Sequence, residues 1–510
     1  MGPVTNLIPR PRNLTETGEV FPISDATHVI ADTGGSAKAA FAAERLAELV
    51  REEFGLVLKV EERRAGPPYR IALSDQSDVS DLSGASAPSA LSDEGYTLEA
   101  TTVFSPTPQG LLWGAMTLRQ LLFRDQRGVF VQGARTTDWP RYRWRGFMID
   151  SGRSPNSLPK IKRIIRICSA LKLNFLVFRE GDDEMCAVRY RTNRLGEDNP
   201  YALTVDDVAD LVSYADRYGI TVVPEIESLG HSTAKGFHYP DLVNGGFEHD
   251  YPGIGIHIRK SHLVPADPRS YALLESIYDE WFSVTRCTLV HLGLDEVRLP
   301  AEDQAHHLEG LLPVVEEVAR KHGIEATPIV WADAPRTPEP YRDRVIRCLW
   351  AYGDDKEQVG LNNPHLVRQG LVELSEPGCA EQVFMAAGSG SLHTPDGKTP
   401  YDLAFRNLAQ WAMWGNDRPN FVGLLAVQWS GNMLDDWLPD FAAAADVAWN
   451  PPESIPDFDS QMASVRAQLF RLKDAASPDP AEADLPAWDG ILLRDGEWWR
   501  DIRTGKTRDA

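Results

Sequence analysis

The sequence predicts an α/β protein: a (β/α)8 TIM barrel, preceded by a smaller α+β domain and followed by a C-terminal helix and tail. Three observations predict it. The chain has 510 residues, too many for one ordinary domain. From Arg143 onward, eight short apolar runs recur with helix-period segments between several of them, the pattern of parallel strands covered by helices. No Gly-rich phosphate loop follows the first run, which speaks against an open doubly wound sheet.

Residues 1–140 read as the α+β domain. Ala37–Phe54 carries Ala, Leu and Val on one helical face. Short strands are expected at Val57–Glu61, Tyr69–Leu73 and Tyr96–Ala100, a Ser/Asp/Gly loop at Asp75–Ser92, and a second helix at Leu111–Phe123. Residues 141–450 read as the barrel. Its strands are expected at 145–150, 174–180, 221–227, 288–296, 327–333, 345–353, 382–388 and 423–431. Helices are expected at Leu158–Leu171, Val205–Tyr218, Tyr271–Phe282 and His307–His322. Residues 451–510 read as a helix at Asp459–Lys473, a Pro/Ala/Asp linker, and a tail with Trp488, Trp498 and Trp499 packed on the barrel.

Composition narrows the partners. The formal net charge is -22, so nucleic acid and anionic membranes are not expected. No uninterrupted apolar run approaches the length of a membrane span. Five scattered cysteines with no CxxC spacing argue against a disulfide framework and a structural zinc. The N-terminus has no apolar signal segment, so a cytoplasmic location is expected, or secretion if a leader was removed. Whether the chain forms a homodimer is left open.

Active sites of such barrels lie at the C-terminal ends of the strands. Those ends carry Asp150 and Arg153; Arg179, Glu180, Asp182 and Asp183; Glu225, Glu227 and His231; Asp295 and Glu296; Trp331 and Asp333; Trp350 and Tyr352; Gln428 and Trp429. One rim therefore gathers carboxylates, a few basic groups and three tryptophans. That set suits carbohydrate: rings stack on the apolar faces of a pyranose, and charged groups bind hydroxyls. Each residue alone also has an ordinary structural use, as a helix cap or core ring; the coincidence carries the reading. Asp182, Asp183, Glu227 and His231 could ligate a divalent ion, but no HxH or HExxH spacing appears, so no metal and no cofactor is expected.

These segments resemble glycoside hydrolase family 20, the β-N-acetylhexosaminidases. NLIPRP (6–11), DEGYTLEA (93–100) and GLLWGAMTLRQLL (110–122) resemble its non-catalytic domain. WRGFMIDSGR (144–153), KLNFLVFREGDD (172–183), GITVVPEIESLGHS (219–232) and VHLGLDEV (290–297) resemble its first four barrel strands. The resemblance implies a retaining exo-glycosidase without an enzyme nucleophile: the substrate's 2-acetamido oxygen attacks the anomeric carbon and gives an oxazolinium ion. It implies Glu296 as general acid and then base, and Asp295 as the residue that holds the acetamido group and stabilises the positive charge. It implies Arg145 on the outer hydroxyls, Asp182 and His231 as a polar relay, and Trp331, Trp350 and Trp429 as pocket walls. The substrate it implies is a terminal β-linked GlcNAc, GalNAc or modified sugar.

The chain departs from the family pattern in places. Leu294 stands where the family has Gly, Glu227 where it has Asp, and Glu184-Met185-Cys186 where it has Gln and an aromatic residue. The family tyrosine that contacts the acetamido oxygen is missing from AAGSGSLH (386–393), leaving Tyr352 as a candidate replacement, and Ser430-Gly431 follow Trp429. Two alternatives follow: a retaining glycosidase on a sugar lacking the acetamido group, with Glu180 or Glu227 as nucleophile, and an inactive carbohydrate-binding barrel. Strand alternation adds one expectation. Asp295 points into the barrel mouth, Glu296 begins a loop turned back over it, and Leu292 and Leu294 face the helices.

Overall fold

The computed structural model describes residues 7–66, 68–74, 93–153, 155–251, 256–352, 374, 379, 381–388, 401–429, 434–466, 492–495, 498–501 and 507–509. Eight parallel strands close into a barrel: Trp144–Asp150, Phe175–Arg179, Thr221–Glu225, Leu289–His291, Thr327–Trp331, Ile346–Trp350, Val383–Gly388 and Phe421–Gln428, the last pairing with the first. Each lies inside or within two residues of its expected run. Apolar side chains such as Met148, Val177, Ile329, Cys348, Phe384 and Leu425 fill the interior, while a second, larger core lies outside the strands. The barrel is thus a packed plug, and its chemistry is confined to the rim.

The fourth strand is the exception. Its pairing ends at His291 rather than continuing to Glu296, and Gly293, Leu294 and Glu296 adopt φ of 69°, 75° and 50°. Leu292 and Leu294 join the outer core, as alternation predicts. Leu294 does so from a backbone conformation that favours glycine, the residue the family pattern places there.

Residues 14–138 form an eight-stranded sheet ordered Leu14–Ile23, Gly128–Asp138, Tyr96–Ala100, Thr102–Ser105, Tyr69–Ser74, His28–Asp32, Lys59–Arg63, with Leu122–Asp125 also on Gly128–Asp138. Two helices pack with it. Ala37–Phe54 has the expected bounds, set by a Ser36 hydroxyl cap and by Gly55 at φ 73°. The second spans Pro108–Gln120, earlier than expected, because Thr107 caps it and Pro108 starts it. The expected loop at 75–92 lies outside the described residues.

A hairpin of Val243–Tyr251 and Ile256–Leu263 follows the third barrel strand. The C-terminal helix is Ile455–Arg466 within the described residues, starting four residues before the expected point. Leu492–Asp495, Trp498–Asp501 and Thr507–Asp509 form a small sheet; Trp488 lies outside the described residues. Among these, no helix is long and apolar enough to cross a membrane. All five cysteines are free.

A buried polar cluster joins the first sheet to the barrel floor. Arg145 Nη2 lies 2.5 Å from Glu94 Oε2, and its other nitrogens donate to the Lys172 and Tyr142 carbonyls. Lys172 Nζ donates to Tyr96 Oη at 2.8 Å and lies 3.6 Å from Asp138, which also accepts from Trp449 Nε1. Burial pulls the Lys172 ammonium down to about 8, against the attraction of Asp138.

Candidate active site

The second strand ends on Arg179, which is fully buried. Its Nη1 meets Glu225 Oε1 at 2.5 Å and Glu227 Oε1 at 2.7 Å. Its Nε and Nη2 hold Asp182 Oδ2 at 2.8 and 2.7 Å, and Nη2 lies 3.8 Å from Asp295. Four carboxylates around one guanidinium cannot all ionise. Burial favours the neutral form in all four. Burial pushes Glu225 up to about 7 and, with the Asp295 charge, Glu227 well above the carboxylate range. Asp182 and Asp295 go the other way despite burial. Arg153, His231 and Arg179 hold Asp182 far down, and Arg179 and His231 do the same for Asp295. A protonated Glu227 hydrogen-bonds Asp295, so Asp295 is an anion held from several sides.

His231, at φ 42°, joins the two carboxylate groups. Its Nδ1 lies 2.9 Å from Asp182 Oδ1 and 3.1 Å from Asp183 Oδ2; its Nε2 lies 3.4 Å from Asp295 and 3.6 Å from Glu296. The Glu296 side chain is 42% exposed at the mouth. Its backbone N–H donates to Asp333 Oδ2 at 2.6 Å. Burial, with the Asp295 charge, pushes the Asp333 carboxyl up to about 6.

The aromatic residues form one connected group. Trp331 is buried; its Nε1 donates to Glu225 at 2.7 Å and its ring lies 5.6 Å from that of Trp429. Trp429 Nε1 donates to Tyr352 Oη at 2.9 Å, and Tyr352 stacks on Trp350 at 5.2 Å. Trp350, Tyr352 and Trp429 are half-buried, while Trp331 is buried. Arg153 and Arg179 lie 5.4 and 5.1 Å from the Trp429 ring.

Of the expected site residues, Asp182, His231, Asp295, Glu296, Trp331, Trp350, Tyr352 and Trp429 come together. Arg145 does not. It sits near the start of the first strand, five residues before Asp150, about 16 Å down a strand from the rim, and is engaged by Glu94. The arginine at the rim is Arg153, paired with Asp150 at 2.8 Å and Asp182 at 3.0 Å. Arg179 and Asp333 also belong to the site; their position at strand ends was the signal for all three. Ser430-Gly431 and residues 389–393 of AAGSGSLH (386–393), the stretch that lacks the family tyrosine, lie outside the described residues.

Asp182, Asp183 and His231 bring three ligand atoms within 4.8 Å of one another. All three already have partners: guanidinium groups hold Asp182, the imidazole lies on both aspartates, and Thr233 donates to Asp183. The cluster fits a hydrogen-bonded relay without an ion.

Comparison with known proteins bears on the family and the fold. The model of glycosyl hydrolase family 20, catalytic domain, matches residues 142–321, and that of glycosyl hydrolase family 20, domain 2, matches residues 4–139. A beta-N-acetylhexosaminidase of Cellulomonas fimi is 26% identical over 481 residues, covering 88% of this chain and 91% of its own. A beta-hexosaminidase of Vibrio furnissii is 26% identical over 307 residues, 53% of this chain and 48% of that protein, so the chain spans about half of this relative. The GH20 beta-N-acetylhexosaminidase structure from Streptomyces coelicolor A3(2) superposes with a TM-score of 0.71 at 21% identity, covering 94% of this chain and 97% of that one. A GH20 exo beta-N-acetylglucosaminidase from Vibrio harveyi gives 0.68 at 19%, covering 94% and 79%. With both domains of the family matched in order and the same fold around them, the chain belongs to glycoside hydrolase family 20.

Proposed function

We propose that the chain is an exo-acting β-N-acetylhexosaminidase, removing terminal β-linked GlcNAc or GalNAc by retaining, substrate-assisted catalysis. The observation that carries this is the pairing of a buried, ionised Asp295 with an adjacent, mouth-exposed Glu296 beside a half-buried aromatic wall.

The sugar stacks on Trp350, Tyr352 and Trp429. Asp295 accepts the acetamido N–H and orients the carbonyl oxygen toward the anomeric carbon. That oxygen attacks as the glycosidic bond breaks, and Glu296 gives its proton to the leaving oxygen. The cationic oxazolinium forms next to the Asp295 anion, a charge set in place before the reaction. Glu296, now a carboxylate, takes a proton from water, which attacks the same carbon and regenerates the acetamido group. Glu227 and Glu180 are fully buried, the first on Arg179 and the second near Lys235, which supports a route without either as nucleophile.

The test is a pair of aryl β-glycosides, with and without the 2-acetamido group. Cleavage of the acetamido sugar alone, blocked by a thiazoline mimic of the oxazolinium, is expected. Cleavage of the plain glycoside alone overturns the reading.

A further inference from the structure

We propose that Asp333 is a positioning residue for this reaction: it fixes the backbone of Glu296 and ties the posture of the acid to the pocket wall at Trp350. The inference rests on the function proposed above. Asp333 follows the fifth barrel strand by two residues and is 8% exposed. Its two oxygens are divided. Oδ2 accepts from the Glu296 backbone N–H at 2.6 Å, and Oδ1 accepts from Trp350 Nε1 at 3.1 Å.

Glu296 needs such a hold. Strand pairing has ended at His291, five residues earlier. The turn that follows is tied residue by residue: Leu292 N donates to Ile329 O, Trp331 N to Gly293 O, and Leu294 N to Glu227 Oε2. Each of these bonds stops short of the acid. Glu296 itself sits at φ 50°, a conformation that a residue with a side chain keeps only when its surroundings impose it. The Asp333 bond is made at that residue and sets the direction in which its side chain leaves the backbone. A general acid must reach the glycosidic oxygen within hydrogen-bond distance, and small misplacements are costly.

The second bond extends the role. Trp350 is half-buried and stacked on Tyr352, within the wall assigned to the sugar. A sugar seated on that wall bears on the ring whose N–H holds the same carboxylate. Sugar binding and acid placement therefore share one side chain.

Leaving-group dependence separates this role from general support of the fold. A 2,4-dinitrophenyl glycoside departs with little need of a proton; a 4-methoxyphenyl glycoside depends on one. Asp333→Ala is expected to lower kcat/KM about 100-fold on the methoxyphenyl β-N-acetylglucosaminide, in the range of a misplaced general acid, and only a few-fold on the dinitrophenyl one. Asp333→Asn keeps one acceptor oxygen and is expected to recover most of the loss. If the alanine variant does not fold, the asparagine variant carries the test, with a smaller loss of the same selectivity. An equal loss on both substrates, or unchanged rates in a folded alanine variant, overturns the role. A wild-type chain inactive on both substrates overturns the proposed function, and this role with it.

Discussion

The carboxylate of Glu227 rests on the α-carbon of Gly293: a β-carbon there would lie 2.3 Å from Oε2. This contact joins the segment after the third strand to the turn that carries Asp295 and Glu296. Gly293→Ala would push Glu227 off Arg179, 2.7 Å away, and place alanine at φ 69°. The expected result is a loss of about 1–3 kcal/mol of stability and a lower kcat, because Asp295 lies two residues on. Thermal unfolding and steady-state kinetics check both.

Glu296→Gln removes the proposed proton donor and leaves the aromatic residues in place. Its kcat is expected to fall 100- to 10,000-fold on substrates with poor leaving groups, the usual range of general acid catalysis. Product GlcNAc should bind within a few-fold of wild type, measured by calorimetry. Unchanged turnover would remove Glu296 from the mechanism.

Glu225 gives the fold a pH dependence of definite sign. Its carboxyl is raised from 4.5 to about 7, so the folded state prefers the protonated form. The associated stability is fully present below about 4.5 and is lost as pH rises through about 7. Glu225→Gln is neutral throughout and lacks this term. Between pH 5 and 8 the wild type should lose stability relative to the variant, by on the order of 3 kcal/mol. Urea unfolding at the two pH values measures it.

Arg145→Met tests a placement. Its guanidinium bonds Glu94 and main-chain carbonyls far from the rim. Glu94 is 17% exposed, so leaving it and the carbonyls unpaired costs about 1–3 kcal/mol, while KM for an aryl N-acetylglucosaminide should stay within two-fold. A large rise in KM with unchanged stability would return Arg145 to the sugar.

The barrel was legible because its strands are buried on both faces and read as continuous apolar runs. Trp144–Asp150 and Val383–Gly388 stand out against their polar flanks. The first domain was less legible. Leu14–Ile23 has LTETGEVFPI, whose half-exposed face carries too few apolar residues to register as a strand. The hairpin Val243–Leu263, with polar and glycine-rich stretches, gave no strand signal either. Rim residues were found wherever strand position alone decided them. Arg145 was misplaced because its motif named the right strand and the wrong end. The division of charge around Arg179 was beyond reach: which of the four carboxylates favour the protonated form depends on burial and on the neighbouring charges in the folded chain.

The cluster under the barrel floor bears on how this protein can be subdivided. Tyr96 and Asp138 come from the first sheet and Glu94 from the turn just before it; Arg145 and Lys172 belong to the barrel domain, and Trp449 ends the helix Leu434–Trp449. Truncation near residue 140 would leave two cations without counter-ions and bare the indole they lie against. The sheet that takes no part in the reaction is in this sense the barrel's foundation, and a free-standing catalytic half would have to be redesigned at its base before it could be soluble.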